Sequence, residues 1–136
     1  MTKPIVISCG EPAGIGPEIA VAAWRTVKHD IPTLWLGDPA HLPAGTPVHQ
    51  AADPSDIHPD KFTVLARDFA PPAVPGQPNP AHAAGVIGAI ADGVSLVQDG
   101  AARALCTAPI HKAALIDGAG FVYPGHTEYL AALAGV

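Results

Sequence analysis

A run of apolar, mostly β-branched residues near the start of the chain leads directly into a turn rich in glycine and proline. The run, residues 4–9 with the sequence Pro-Ile-Val-Ile-Ser-Cys, is uncharged and continuous, which is typical of a buried parallel strand. After the turn, Pro17 suits the first turn of a helix, and Glu18 complements the positive end of the helix dipole. A strand that passes through a tight turn into a helix predicts the first unit of an α/β fold.

The alternation of strand and helix patterns continues along the chain. Further strands are predicted at 31–36, 46–50, 62–66 and 104–107, and further helices after Asp38, over about 81–98 behind Asn79, over 112–117 and from 128. This order predicts the α/β class, with a mostly parallel sheet that helices cover on both faces. We expect strand 104–107 to be central in the sheet. We expect the buried stripe of the first helix at Ile19, Ala22, Ala23 and Val27.

Composition and charge exclude several classes of protein. The 136 residues are 49% hydrophobic and 14% charged, so the chain can bury a core and is not intrinsically disordered. A net charge of −5 and a pI of about 5.7 argue against nucleic acid as a partner, because its binders carry a basic stripe. Glycine, proline or a charge interrupts every apolar run before the roughly 20 residues that span a membrane. We therefore predict a cytoplasmic protein with no membrane partner and with reduced thiols at Cys9 and Cys106.

The turn at residues 10–18 is the first candidate for chemistry. Its sequence, Gly-Glu-Pro-Ala-Gly-Ile-Gly-Pro-Glu, lacks the third glycine of a dinucleotide fingerprint and the Gly-Lys-Ser/Thr ending of a P-loop. One interpretation is a tight turn that lets the helix pack closely on the sheet. The other is that Gly14, Gly16 and Glu18 line a cleft at the carboxyl end of a parallel strand.

The second candidate follows strand 104–107. Thr107 offers a hydroxyl, His111 titrates near neutrality, and Lys112 is a point charge suited to phosphate. The alternative is that Pro109 merely ends the strand and that Lys112 extends into solvent.

The third candidate lies where the last helix begins. A helix start has free N–H groups and a partial positive charge, so His126 and Thr127 there would form a small anion pocket, with Thr127 as the helix cap. The alternative is that His126 has only a structural role. The other five histidines lie in polar or proline-rich surroundings and are expected at the surface, at His29, His41, His49, His58 and His82.

Together, the segments at 10–18, 107–112 and 123–130 resemble the 4-hydroxythreonine-4-phosphate dehydrogenase family in sequence, order and spacing. The last two read Thr-Ala-Pro-Ile-His-Lys and Tyr-Pro-Gly-His-Thr-Glu-Tyr-Leu. The glycine-proline turn is also similar to the opening of isopropylmalate and isocitrate dehydrogenases, which share that family's fold. The resemblance therefore implies an isocitrate/isopropylmalate dehydrogenase-like fold.

The resemblance also implies an activity. The family oxidises the 3-hydroxyl of 4-phosphohydroxy-L-threonine with NAD or NADP, and loss of carbon dioxide then gives 3-amino-2-oxopropyl phosphate in vitamin B6 synthesis. A divalent metal such as Zn, Mg, Co or Mn would stabilise the alkoxide and the enolate. His126 and Thr127 match the family's substrate-contacting pair. The residues implied to support the cleft are Thr107, His111, Lys112, Gly14, Gly16 and Glu18.

The length of the chain limits what the resemblance can supply. Members of the family are about twice as long and form homodimers, and their three metal-binding histidines match positions beyond residue 136. We therefore expect residues 1–136 to be the N-terminal portion of a two-lobed dehydrogenase, without metal ligands and inactive alone. Two alternatives are a relative that oxidises phosphorylated threonate or erythronate, and a non-catalytic fragment that binds phosphate esters.

Overall fold

Strands and helices alternate along the chain in the computed structural model, which describes residues 2–69 and 72–135. The strands in these residues are β1 (Ile5–Ser8), β2 (Thr33–Gly37), β3 (Val48–Gln50), β4 (Phe62–Ala66) and β5 (Ala104–Thr107). The α-helices are α1 (Gly16–Val27), α2 (Ala83–Gln98), α3 (Lys112–Ala119) and α4 (His126–Ala134), and short 3₁₀ turns lie at Pro39–His41 and Pro80–His82. The predicted strands at 62–66 and 104–107 are confirmed at both ends, and the other predicted strands differ only in their bounds.

All five strands lie parallel in one sheet, in the order β3-β4-β2-β1-β5. Ile5 of β1 is paired with Thr33 of β2 on one side and with Ala104 of β5 on the other. The predicted α/β class with a parallel sheet is therefore confirmed. The expectation that β5 is central is wrong, because among the described residues β5 pairs with β1 alone and forms an edge of the sheet. Its side chains are accordingly exposed or half-buried.

Helices cover both faces of the sheet, as predicted. Because side chains alternate along a strand, Trp35 of β2 and Leu105 of β5 lie on opposite faces. On one face, Trp24 of α1 packs edge-on against Phe62 with ring centroids 5.8 Å apart, and Phe62 also contacts Trp35. On the other face, Gly93 of α2 packs so closely on Leu105 that a Cβ there would lie 2.7 Å from the leucine side chain.

The buried stripe of α1 is shifted by two positions from the predicted one, so the predicted residues lie on the other side of the helix. Pro17, Ala20, Val21 and Trp24 are buried, whereas Ile19 remains 45% exposed. Both sets of residues have the spacing of one helix face, so the period alone does not choose between them. The indole of Trp24 decides the orientation because it removes the most apolar surface from water.

Helix α2 is the longest helix in the described residues, and its own N-cap is His82, without a side-chain hydrogen bond. Asn79, the predicted cap, lies one turn earlier. The Asn79 side chain accepts a hydrogen bond of 2.9 Å from the amide of Ala81, in the 3₁₀ turn that precedes the helix. By length and composition alone, Pro80–Gln98 could cross a membrane. In the fold, one third of this stretch is buried, and α2 packs against β1, β2 and β5.

The prediction that His82 is exposed is also wrong, because it is buried at the start of α2. Its ring lies 5.4 Å from the ring of His41 and 5.8 Å from the ring of Phe69. Asp38, the cap of the Pro39–His41 turn, also accepts the amide of Phe69 at 3.1 Å. The histidine is buried because the loops after β2 and β4 close over it.

Candidate functional site

Strand β1 has β2 on one side and β5 on the other. The chain runs from β1 through α1 to β2, and it later comes back through α2 to β5. The turns after β1 and β5 therefore diverge at the carboxyl ends of neighbouring strands, which is where α/β proteins hold ligands. The segments 10–18 and 107–112 both lie at this switch point.

Close backbone packing joins these two segments. Gly10 has a φ of +67°, and a Cβ at this position would lie 2.4 Å from the carbonyl oxygen of Pro109. The amide of Glu11 donates to that same oxygen at 2.8 Å. Gly16 is also tightly enclosed, since a Cβ there would lie 2.6 Å from the carbonyl oxygen of Cys9. The turn thus needs glycine at positions 10 and 16, whereas Gly14 is exposed and a Cβ there would make ordinary contacts.

Several backbone donors of the turn are already used within the protein. Ala13 donates to Oε1 of Glu11 at 3.1 Å, and Gly14 donates to the backbone oxygen of Glu11 at 3.0 Å. Together with the Glu11 amide, three N–H groups are unavailable to a phosphate. The turn therefore does not fit the pyrophosphate of a dinucleotide, and we assign no contact with NAD or NADP to it.

Glu11 is a site residue that the sequence analysis quoted without assigning it a role. Its side chain is only 6% exposed, although it is a carboxylate at the mouth of the switch point. The signal in the sequence is an acidic residue inside a tight, otherwise apolar turn. The hydrogen bond from Ala13 shows that this carboxylate helps to fold the turn. Glu18, at the far end of the turn, is exposed.

His111 and Lys112 both have partners within the protein. His111 is the N-cap of α3, and its Nδ1 accepts the amide of Ala114 at 3.2 Å. The Lys112 ammonium donates to the carbonyl oxygen of Pro124 at 2.8 Å. Thr107, the last residue of β5, is half-buried. The segment 107–112 is thus hydrogen-bonded at Pro109 to the turn after β1, and at Lys112 to the turn that begins α4.

His126 and Thr127 are the first two residues of α4. The N-cap is Gly125, and no side chain caps this end, so the expectation that Thr127 is the cap is wrong. The cap moves back by two residues because His126 already has helical geometry. Thr127 is exposed in the first turn, where backbone N–H groups have no partner within the helix.

The imidazole of His126 is half-buried at the start of α4. Burial lowers the pKa of its ring below the usual 6.5. Its Nε2 is enclosed and has no hydrogen-bond partner among the residues that the structure describes. A buried polar atom without a partner is rare in native proteins, so this nitrogen is a candidate for contact with a ligand.

Aromatic rings anchor the start of α4. The rings of Phe121 and Tyr123 lie 5.5 and 5.1 Å from the ring of Tyr129. The Tyr129 hydroxyl also reaches the backbone oxygen of Ile87 in α2, at 3.4 Å. This cluster fixes α4 to the core below His126, and its signal in the sequence is the recurrence of aromatic residues from 121 to 129 in a chain that is only 5% aromatic.

A metal ion does not fit the residues described. Within 2–69 and 72–135, the structure brings together no group of three or more His, Cys, Asp or Glu side chains that could hold one. A cavity of about 420 Å³ lies at the opposite, amino edge of the sheet, lined by residues that include Lys3, Trp24, Lys28 and His58. None of the predicted site residues lines this cavity, so it is separate from the predicted site.

Comparison with known proteins identifies close relatives of this chain. A family model described as pyridoxal phosphate biosynthetic protein PdxA matches residues 20–136. A protein from Roseobacter denitrificans, named 4-hydroxythreonine-4-phosphate dehydrogenase, is 61% identical over 137 residues, and one of the same name from a Ruegeria species is 56% identical over 135. These matches cover 98% and 97% of this chain but only 42% and 41% of the relatives.

Solved structures give the same result. The 4-hydroxythreonine-4-phosphate dehydrogenases of Klebsiella pneumoniae and Burkholderia phymatum each match with a TM-score of 0.87, at 26% and 30% identity. The matches cover 98% and 100% of this chain and 45% and 44% of those chains. The chain therefore spans less than half the length of these relatives. It belongs to the PdxA family of pyridoxal phosphate biosynthetic proteins.

Proposed function

We propose that this chain supplies the substrate-contacting segment of a 4-hydroxythreonine-4-phosphate dehydrogenase. The substrate is a phosphorylated hydroxy-amino acid, which is oxidised at its 3-hydroxyl and loses carbon dioxide to give 3-amino-2-oxopropyl phosphate. The complete enzyme is a cytoplasmic homodimer that uses NAD or NADP and a divalent metal.

The observation that carries the proposal is the pair of hydrogen bonds that links the three segments. The bond from Glu11 to Pro109 joins the turns after β1 and β5, and the bond from Lys112 to Pro124 joins the second turn to the start of α4. His126 and Thr127 are thereby held in one continuous unit with the switch point.

The start of α4 offers the chemistry that an anionic substrate needs. The first amides of the helix and the Thr127 hydroxyl are donors, and the partial positive charge of the helix end favours an anion. The Nε2 atom of His126, which has no partner among the described residues, adds one more polar group. These groups bind and orient the substrate; we assign no proton or hydride transfer to them.

The metal and the nicotinamide cofactor are proposed for the complete enzyme alone. The described residues bring together no group that could hold a metal, and the turn at residues 10–18 does not fit a dinucleotide pyrophosphate, so we derive no catalytic step through either group. The contribution of this chain is to bind the substrate and to shape one side of the switch point.

A chimaeric enzyme tests the proposal. This chain replaces the matched segment of the Roseobacter denitrificans relative, and reduction of NAD or NADP is followed with 4-hydroxythreonine-4-phosphate as substrate. We expect activity close to that of the intact relative. We expect His126→Ala in the chimaera to lower kcat/KM by about ten- to hundredfold, the effect of losing one hydrogen bond to a charged group. His29→Ala is the matched control, because His29 is exposed and is distant in sequence from His126.

Two outcomes contradict the proposal in different ways. A folded chimaera without activity, beside an active intact relative, shows that this chain does not supply a working segment. A chimaera that oxidises phosphorylated threonate or erythronate faster than 4-hydroxythreonine-4-phosphate would support a dehydrogenase but contradict the proposed substrate.

A further inference from the structure

Lys112 occupies a position that helix formation does not favour. It is the first residue of α3, where the helix dipole is positive and a cation is disfavoured. The capping requirement of this end is met by His111, whose Nδ1 accepts the amide of Ala114. The lysine therefore contributes nothing evident to the start of its own helix, and its role has to be found elsewhere.

The partner of Lys112 lies twelve residues along the chain, in the turn that begins α4. Its ammonium donates to the carbonyl oxygen of Pro124 at 2.8 Å, which is the length of a strong charge-assisted hydrogen bond. Proline has no N–H, so this carbonyl is the one backbone polar group that Pro124 can offer. Gly125, the next residue, is the N-cap of α4 and accepts the first amide bond of that helix, from Tyr129 at 3.3 Å.

We propose that Lys112 is a positioning residue, which holds the Pro124–Gly125 turn and thereby fixes His126 and Thr127 at the start of α4. That His126 and Thr127 contact the substrate rests on the proposed function. The hydrogen bond from Lys112 to Pro124, which we call the tie, is a property of the ligand-free chain. Lys112 acts through the backbone and does not need to touch the substrate. The aromatic cluster anchors α4 to the core, and Lys112 anchors the turn that precedes this helix.

Hydrogen exchange of the Tyr129 amide in the ligand-free chain tests this role. In Lys112→Met, we expect that amide to exchange about tenfold faster, because the turn that carries its acceptor is released. We expect the NMR signals of Gly125, His126 and Thr127 to shift. Lys112→Arg, which keeps a cationic donor, is expected to stay within about twofold of the parent chain. Lys61→Met, a change at another exposed lysine, is the matched control and leaves all four residues unchanged.

Three results overturn the proposal, and a fourth separates it from the proposed function. The first is that the exchange rate and the NMR signals are unchanged in Lys112→Met. The second is that Lys61→Met accelerates exchange of the Tyr129 amide equally. Either would mean that Lys112 does not position the turn. A Lys112→Met chain that fails to fold would assign the lysine to general stability instead. If the exchange result holds but the parent chimaera is inactive, the tie stands and the proposed function falls.

Discussion

The amide of Glu11 donates a hydrogen bond of 2.8 Å to the carbonyl oxygen of Pro109, and so joins the turns that follow two neighbouring strands. This contact is possible because Gly10, one residue earlier, has a positive φ and no Cβ to obstruct that oxygen. The glycine-proline turn is thus built for close packing against a second segment of the site.

Substitution of this glycine tests the packing. Gly10→Ala places a Cβ against Pro109 in a left-handed backbone conformation, so we expect the free energy of unfolding to fall by about 2–4 kcal/mol. Gly14→Ala is the matched control in the same turn, and its effect should stay within about 1 kcal/mol. Urea denaturation of the two variants measures both values. Equal losses of stability would show that the contact with Pro109 is not what the turn requires.

The two cysteines should differ sharply in reactivity. Cys9 is buried, and burial raises the pKa of its thiol to about 12, with the nearby Glu11 charge adding to the effect. Cys106 is exposed on the edge strand β5. We expect a thiol reagent to label Cys106 alone in the native chain, so that Cys106→Ser abolishes fast labelling and Cys9→Ser does not. Fast labelling of Cys9 in the Cys106→Ser variant would contradict the buried position of β1 and its turn.

The stability of the fold should decline on mild acidification. Burial lowers the pKa values of His41 and His126 below 6.5, so the unfolded chain takes up protons on these rings before the folded chain does. The free energy of unfolding therefore falls as pH drops below about 6.5, and levels off once the folded rings are also protonated. We expect His126→Asn to make this decline shallower in urea titrations, and His29→Asn, at an exposed position, to leave it unchanged. A steeper decline in His126→Asn would reverse the sign that burial gives.

Local signals in the sequence were sufficient for the elements of the fold. The apolar run at 62–66 and the Asn79 cap before α2 depend on short stretches of chain, and both are found where they were predicted. The position of β5 was not predictable in the same way, because it depends on which side of β1 the chain returns to after α2. The burial of His82 was missed for a similar reason, since it requires two distant loops to close over one ring.

The site shows the same division between local and distant information. The candidate residues of each segment are predicted from the motif of that segment alone. The hydrogen bond between Lys112 and Pro124 could not, because nothing in the sequence of α3 indicates which distant carbonyl its first residue contacts. The cap of α4 was displaced from Thr127 to Gly125 because a glycine before a helix leaves no side-chain signal.

The most direct measurement of the central claim is a map of amide and imidazole NMR shifts as 4-hydroxythreonine-4-phosphate is added to this chain. We expect the perturbed residues to lie at Gly125, His126 and Thr127, the His126 pKa to rise towards 6.5 in the complex, and His126→Ala to remove the response. Shifts confined to the cavity at the opposite edge, around Lys3, Lys28 and His58, would contradict this expectation.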